Sequence, residues 1–281
     1  MVHNPLDFTV YLNYTNFIIT HKLRLYVLLF PRLMHTITIS LNIFALYSLH
    51  LFQMITQPRT FSFVDEFNSL DNNKFLISFD VQSLFTNIPL TETIDIAVDV
   101  IHTNIENFPV NKTDLKKLFL FATAENHFLF DSSYYDQIDG VAMGSSLAPV
   151  LANLFMSHHE RTWLSNYNNL TPLFYRRYVD DIFCMFHTEQ EALLFFDYLN
   201  LQHPNIKLTS ENESNNQISF LDVLITKSSN NCHTSVFHKK TYTGLLTNFR
   251  NFSPLNYKIG LLRTLVDRTR KINNSLSGFK K

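Results

Sequence analysis

The sequence predicts an α+β fold, an antiparallel sheet backed by helices and followed by a small helical module, and three observations carry that reading. Phe75-Leu76-Ile77-Ser78-Phe79 is a short apolar run of buried-strand character that closes on Asp80. Leu173 to Phe186 places aromatic and β-branched residues on both sides of a short polar centre, Tyr178-Val179-Asp180-Asp181, the pattern of two strands joined by a tight turn. Between and after these runs lie apolar stripes at helical spacing.

Each element follows from its own residues. Thr91 is placed to cap a helix whose positions Ile94, Ala97, Val98 and Ile101 share one face. Thr113 is placed likewise before Leu115, Leu118 and Phe119. Phe128-Leu129-Phe130, then Asp131-Ser132-Ser133, then Tyr134-Tyr135 predicts a hairpin. Leu147, Leu151, Leu154 and Phe155 form an amphipathic stripe. Thr188 with Glu191 makes a capping box ahead of Leu193, Leu194 and Phe196. Short strands are expected over 206–210, 218–226 and 234–238. Ser253-Pro254 starts a last helix that runs towards Arg270, because proline suits the first helical position.

Composition bounds the class. At 281 residues, 46% hydrophobic and 14% aromatic, the chain can build a sizeable core in one or two domains. A formal charge of −1 is unusual for a protein that holds a nucleic-acid duplex, but local balance matters more than the sum. From Phe237 to Lys281 ten Lys or Arg face one acid, Asp267, a bias suited to phosphate contacts or to a solvated helical face. Two cysteines, Cys184 and Cys232, imply no disulfide framework and a reducing, intracellular compartment. Residues 16–55 are apolar with few charges, and His35 to Gln53 has none beyond histidine, a length that approaches a membrane span. Thr, Ser, Asn, His and Gln interrupt that stretch, so a buried helix or a disrupted reading frame accounts for it better, and no stable membrane association is expected. Among twelve histidines, His158-His159 beside Glu160 suggests zinc, but neighbours on a helix point about 100° apart and cannot share an ion as i,i+4 pairs do. Packed or solvent-facing rings are expected there.

The acidic residues carry the chemistry. Adjacent carboxylates repel, so a buried or half-buried pair at Asp180-Asp181 calls for a cation beside it, whereas an ordinary hairpin turn would use Asp simply as a turn residue. Asp80, closing a strand upstream, supplies a third carboxylate. Mg2+ is held by one or two carboxylates plus substrate phosphates, and two such ions clamp the attacking and leaving oxygens of a phosphoryl displacement. Between these acids, Gly140-Val141-Ala142-Met143-Gly144-Ser145-Ser146-Leu147-Ala148-Pro149 carries two of the chain's five glycines, where backbone can approach a substrate closely before a helix begins.

These blocks, in this order, resemble motifs A, B and C of a reverse-transcriptase palm, and more closely those of Penelope-like retroelements. Ser78 to Leu90 resembles motif A, Met143-Gly144-Ser145 with Leu151 to Met156 motif B, and Tyr175 to Phe183 motif C. Ile218 to Ile225, Lys240 to Phe249 and Tyr257 to Leu265 resemble the blocks after the palm, so the likeness covers roughly residues 57–272. It implies three segments: an unassigned apolar stretch 1–56, a palm over 57–228, and a basic thumb-like or helix-turn-helix module over 229–281. No fingers motif is recognisable in the first of these, and no GIY-YIG endonuclease within the 281 residues.

The resemblance also implies roles. Asp80, Asp180 and Asp181 are the catalytic carboxylates, with the Val81 carbonyl joining them around two Mg2+ ions, or Mn2+ in their place. Val81, Phe85, Gly144 and Ser145 meet the nucleotide, Phe85 as a flat ring against a 2′-hydroxyl or as plain core. Tyr178, Lys239, Lys240, Lys258, Arg263, Arg268 and Arg270 contact nucleic acid. Lys207 is placed to protonate pyrophosphate or to sit as a solvated strand lysine. Arg176 and Arg177 face phosphate or pair with acids, and Asp222 orients a strand end. The implied partners are an RNA template with a DNA primer and dNTPs, and the implied location is nuclear. Two functions stay open at this point: an RNA-directed DNA polymerase fragment, or a catalytically silent remnant that binds nucleic acid.

Overall fold

The computed structural model describes residues 60–70, 74–123, 127–145, 147–228 and 231–274; the apolar segment 1–56 lies outside the described residues. In chain order the elements are α1 (Thr60–Asn68), β1 (Phe75–Val81), α2 (Leu84–Asn87), α3 (Leu90–Asn104), α4 (Lys112–Thr123), β2 (His127–Phe130), β3 (Ser133–Asp136), α5 (Ala148–Asn166), β4 (Phe174–Tyr178), β5 (Asp181–Phe186), α6 (Glu189–Gln202), β6 (Leu208–Asn212), β7 (Gln217–Phe220), β8 (Val223–Lys227), β9 (Cys232–Val236) and α7 (Leu255–Ile272). They form two compact units. One takes Gln82–Asn166 with His203–Ile206; the other takes the described residues of Thr56–Val81, Tyr167–Gln202 and Lys207–Lys281.

The second unit holds the predicted sheet, antiparallel in the order β4-β5-β1-β6. Its central strands bury both faces, which explains why Ile182 to Phe186 reads as an unbroken apolar run. On one face Phe79 packs on Phe195 and Phe196 of α6, with Phe186 against Phe195 at 5.5 Å. On the other, Leu76, Phe174, Phe183 and Met185 join Phe63 and Phe67 of α1 and the inner residues of a second sheet, β7-β8-β9. Phe63 lies 4.8 Å from Phe220 and 5.2 Å edge-on from Phe183, so aromatic packing fixes the orientation of α1. The capping box forms: Glu191 N–H donates to Thr188 Oγ1, and its carboxylate accepts the His187 N–H.

Four sequence expectations shift here. The strand expected over 218–226 is a hairpin, because Leu221 takes a positive φ of 54° in a two-residue turn that no glycine marks. The strand expected over 206–210 runs instead over Leu208–Asn212, and that over 234–238 over Cys232–Val236. The last helix begins at Leu255, with Pro254 just outside it. Its C-terminal end is fastened to the edge strand β9: Thr234 Oγ1 donates to the Ile272 carbonyl, while Asn273 and Asn274 side chains accept the Val236 and Thr234 N–H groups. These contacts satisfy an edge that would otherwise be open to pairing.

In the first unit α3 packs between α4 and α5, burying Ile94, Ala97, Val98 and Ile101 as expected. The caps differ from expectation. Helix α3 starts at Leu90, whose N–H donates to the Asp139 carboxylate, so the cap comes from a distant loop rather than from Thr91. Asn111, not Thr113, caps α4 by accepting the Asp114 N–H. The β2–β3 hairpin turns through Asp131 and Ser132, both at positive φ, the sign pattern of a type I′ turn.

Candidate active site

The turn between β4 and β5 is set by its flanking register. Tyr178 pairs with Asp181, leaving Val179 and Asp180 as the two turn residues. Val179 has φ 56°, a conformation that a β-branched residue adopts only under constraint, at a cost of order 1–3 kcal/mol. Arg177 supplies part of that constraint. Its side chain is 1% exposed and its Nη1 donates to the Val179 carbonyl at 2.9 Å. Neighbouring Arg176 leaves β4 on the other face and clasps Glu66 of α1, Nη2 at 2.6 Å and Nε at 2.7 Å. Both arginines are therefore engaged within the fold.

Strand β1 delivers the third carboxylate. Asp80 stands directly opposite Asp181 in the ladder, and Val81 N–H donates to the Asp180 carbonyl at 3.0 Å. The strand ends and the turn thus gather Asp80, Asp180 and Asp181 at one end of the sheet, within one unit. Their charges feel one another. Asp80 is raised from the ordinary carboxylate range by burial and then by Asp180. Asp181 is pushed up to about 6 by burial, then Asp180 and Asp80, with Lys239 pulling the other way.

Three carboxylates with nothing but oxygen to offer, and destabilised by mutual repulsion, fit a hard divalent cation. Among the described residues, the ligand-type side chains whose atoms all lie within 4.8 Å of one another are Glu92, His159 and His203, not the aspartates.

The glycine block lies in the other unit. Val141 N–H donates to the Phe85 carbonyl at 2.7 Å, joining the loop after β1 to this block. Gly140 is buried at φ +79°, and a Cβ there would fall 2.6 Å from the Thr86 carbonyl oxygen and 2.7 Å from that of Phe85. Gly144, at φ +93°, has open space where a Cβ would stand. Ser145 Oγ accepts the Leu147 N–H at the mouth of α5. Phe85 is half-buried in α2.

Residues 20–211 match the family model for the reverse transcriptase (RNA-dependent DNA polymerase). This chain belongs to the reverse transcriptase family. The match begins within the apolar N-terminal segment, so part of residues 1–56 is family sequence despite its lack of a recognisable fingers motif. In fold the chain is similar to apo telomerase from Candida tropicalis truncated from its C-terminal domain, at TM-score 0.50 and 14% identity over 70% of this chain and 45% of that one. It is likewise similar to telomerase from Candida albicans in complex with a fragment of telomeric RNA, at TM-score 0.54 and 11% identity over 75% of this chain and 38% of that one. This chain thus spans less than half the length of either telomerase chain. No curated protein matches the sequence.

The mixed α+β architecture with its helix-backed antiparallel sheet is that of a polymerase palm. Around it, the remaining sequence-predicted residues divide. Tyr178 is 39% exposed at the turn, and Lys239 is exposed with its charge felt at Asp181. Lys240, Arg263 and Arg270 are exposed, the latter two on α7. Lys258 donates to the carbonyls of Phe249 and Asn251, closing the loop before α7, and Arg268 pairs with Asp222 at 2.9 Å. Lys207 Nζ donates to the Asn200 carbonyl at 3.0 Å. Sequence reasoning missed the clamp by Arg177, whose burial no local signal announces. It also missed the grouping of His159 with His203 and Glu92, which are 111 residues apart. No helix among the described residues is long and apolar enough to cross a membrane.

Proposed function

We propose that this reverse transcriptase is the RNA-directed DNA polymerase module of a Penelope-like retroelement, joining deoxynucleotides to a DNA primer on an RNA template. The observation that carries the reading is the ladder register that sets Asp80 opposite Asp181, with Asp180 in the adjoining turn. In this reading 57–228 is the palm and 229–281 a thumb-like module. The described part of that module holds one helix, with Gly260 inside it, which favours the thumb over a helix pair.

Nucleotidyl transfer asks for alignment of the primer 3′ oxygen with the α-phosphate and for neutralisation of developing charge. Asp80 and Asp180, with the Val81 carbonyl, would hold two Mg2+ ions, and Asp181 orients or adds a ligand. What Mg2+ supplies at such a donor set is charge neutralisation on the transferred phosphoryl and on its attacking and leaving oxygens. The protein's own contribution is rigidity: a turn strained at Val179 and clamped by Arg177 limits how far the carboxylates can move. Phe85 and the backbone at Gly144 and Ser145 bound the nucleotide. Tyr178, Lys239 and Lys240, with Arg263 and Arg270 on α7, hold template and primer.

Primer extension on an RNA template with dNTPs and Mg2+ tests this. The parent chain should extend, and Asp180→Asn should lose extension while keeping duplex affinity, because the exposed basic residues are untouched. If the parent binds duplex but adds no nucleotide at any Mg2+ concentration, the chain is a binding remnant.

A further inference from the structure

A second group of ligand-type side chains stands apart from the aspartates, wholly within the other unit. Glu92 lies in the first turn of α3, where the helix end favours a carboxylate. Its Oε1 is 2.9 Å from His159 Nε2 on α5, and its Oε2 is 3.4 Å from His203 Nε2. The first contact is close but off the N–H direction, leaving His159 Nε2 buried without a hydrogen-bond partner. All three ligand atoms lie within 4.8 Å of one another.

The rings are held in place by their neighbours. His159 stacks on Trp163 at 5.4 Å, and Phe155 meets His159 at 4.5 Å and His203 at 5.3 Å. Burial, offset by Glu92 and reinforced by His158 and His203, keeps the His159 imidazole below its usual range. A cleft of about 560 Å³, lined by Glu92 and His158 among others, opens beside the group; Asp95 and Asp99 on its wall are paired with Lys116 and Lys112, so Glu92 is the carboxylate left to meet a cation.

We propose that Glu92, His159 and His203 bind a zinc ion, with water as fourth ligand, clasping α3, α5 and the His203–Ile206 segment. Two imidazoles and one carboxylate select zinc over Mg2+, which prefers oxygen alone. His203 Nδ1 accepts the Asn205 N–H at 3.1 Å, which puts the ring proton on Nε2. Coordination through Nε2 requires the other tautomer, with the ring proton passed to Nδ1 through water, and the exposed Asn205 N–H then turns to solvent at little cost. The ion would be structural and separate from the polymerase carboxylates.

The test uses the full chain stripped with EDTA and then held in excess Mg2+, which occupies oxygen sites, with Asp180→Asn as a background that removes the aspartate site. Zinc titration by calorimetry should show one equivalent bound in both backgrounds, and the thermal midpoint should rise with zinc concentration. Cobalt in place of zinc should give the visible bands of a four-coordinate site. His159→Ala and His203→Gln should each weaken binding by more than roughly a hundredfold, beyond the effect of changing a group that only supports a ligand. His158→Ala should leave binding unchanged. Failure of the parent to retain zinc in Mg2+, or parental affinity in both ligand variants, overturns the proposal. Should a variant fail to fold, the parent decides: four-coordinate cobalt bands with a shifted Asn205 amide resonance support the site, and their absence refutes it.

Discussion

Gly140→Ala gives the sharpest test of how the glycine block is held. An alanine Cβ there meets the Thr86 carbonyl oxygen at 2.6 Å, the Phe85 carbonyl oxygen at 2.7 Å and Thr86 Cα at 2.8 Å, all backbone atoms that cannot swing aside. The positive φ of +79° adds a conformational cost of about 1 kcal/mol for any residue with a Cβ. Overpacking of this kind costs about 1–3 kcal/mol more, so the sum is roughly 2–4 kcal/mol. At about 2–4 °C per kcal/mol for a domain of this size, the melting midpoint should fall by roughly 5–15 °C. Gly144→Ala is the internal control: φ is +93° but nothing lies within 4 Å, so only the conformational cost of about 1 kcal/mol remains. Thermal unfolding followed by circular dichroism, with hydrogen exchange at the Val141 amide, measures both effects. The Val141 N–H, bonded to Phe85, should exchange faster in Gly140→Ala only. If the two variants melt within about 2 °C of each other, the close approach does not constrain this loop.

Three further outcomes are expected. The Asp181 carboxyl, raised from 3.8 to about 6, contributes stability that is full below pH 4 and lost as pH rises through 6. In EDTA the parent should therefore gain on Asp181→Asn by on the order of 1–2 kcal/mol between pH 7 and pH 4, after allowing for solvent screening. Denaturant titrations at the two pH values check this, and a difference that does not change with pH refutes it. Arg177→Met should destabilise by about 1–3 kcal/mol, because the Val179 carbonyl loses a buried donor, and Arg177→Lys should recover only part of the loss in urea unfolding. Gly260→Ala, inside α7 with no atom within 4 Å of the new Cβ, should stabilise by about 0.5–1 kcal/mol in the same assay.

Legibility in the sequence follows the range of each interaction. The sheet and its acidic end were readable because short apolar strand runs and the Asp pair are local patterns, visible in Phe75 to Asp80 and Tyr178 to Phe186. The Thr188–Glu191 capping box was readable for the same reason. The cap of α3 was not, since its acceptor, Asp139, is 49 residues away. The β7–β8 turn escaped because tertiary packing holds Leu221 at a positive φ without glycine. Arg177 read as a candidate phosphate ligand, and only burial shows that it serves the turn. Lys258 and Arg268 read as phosphate contacts too, yet a loop carbonyl pair and Asp222 occupy them.

The chain order of the central sheet bears on how this protein is made. Strand β1 is complete at Val81, but its neighbours β5 and β6 end only at Phe186 and Asn212. At a ribosomal rate of about 5–20 residues per second, the apolar β1 emerges and waits roughly 5–20 s for its first sheet partner. During that delay Leu76, Ile77 and Phe79 are open to chaperones and to other nascent chains alike. Yield in a heterologous host should accordingly depend on translation speed and growth temperature more than on the strength of the finished core.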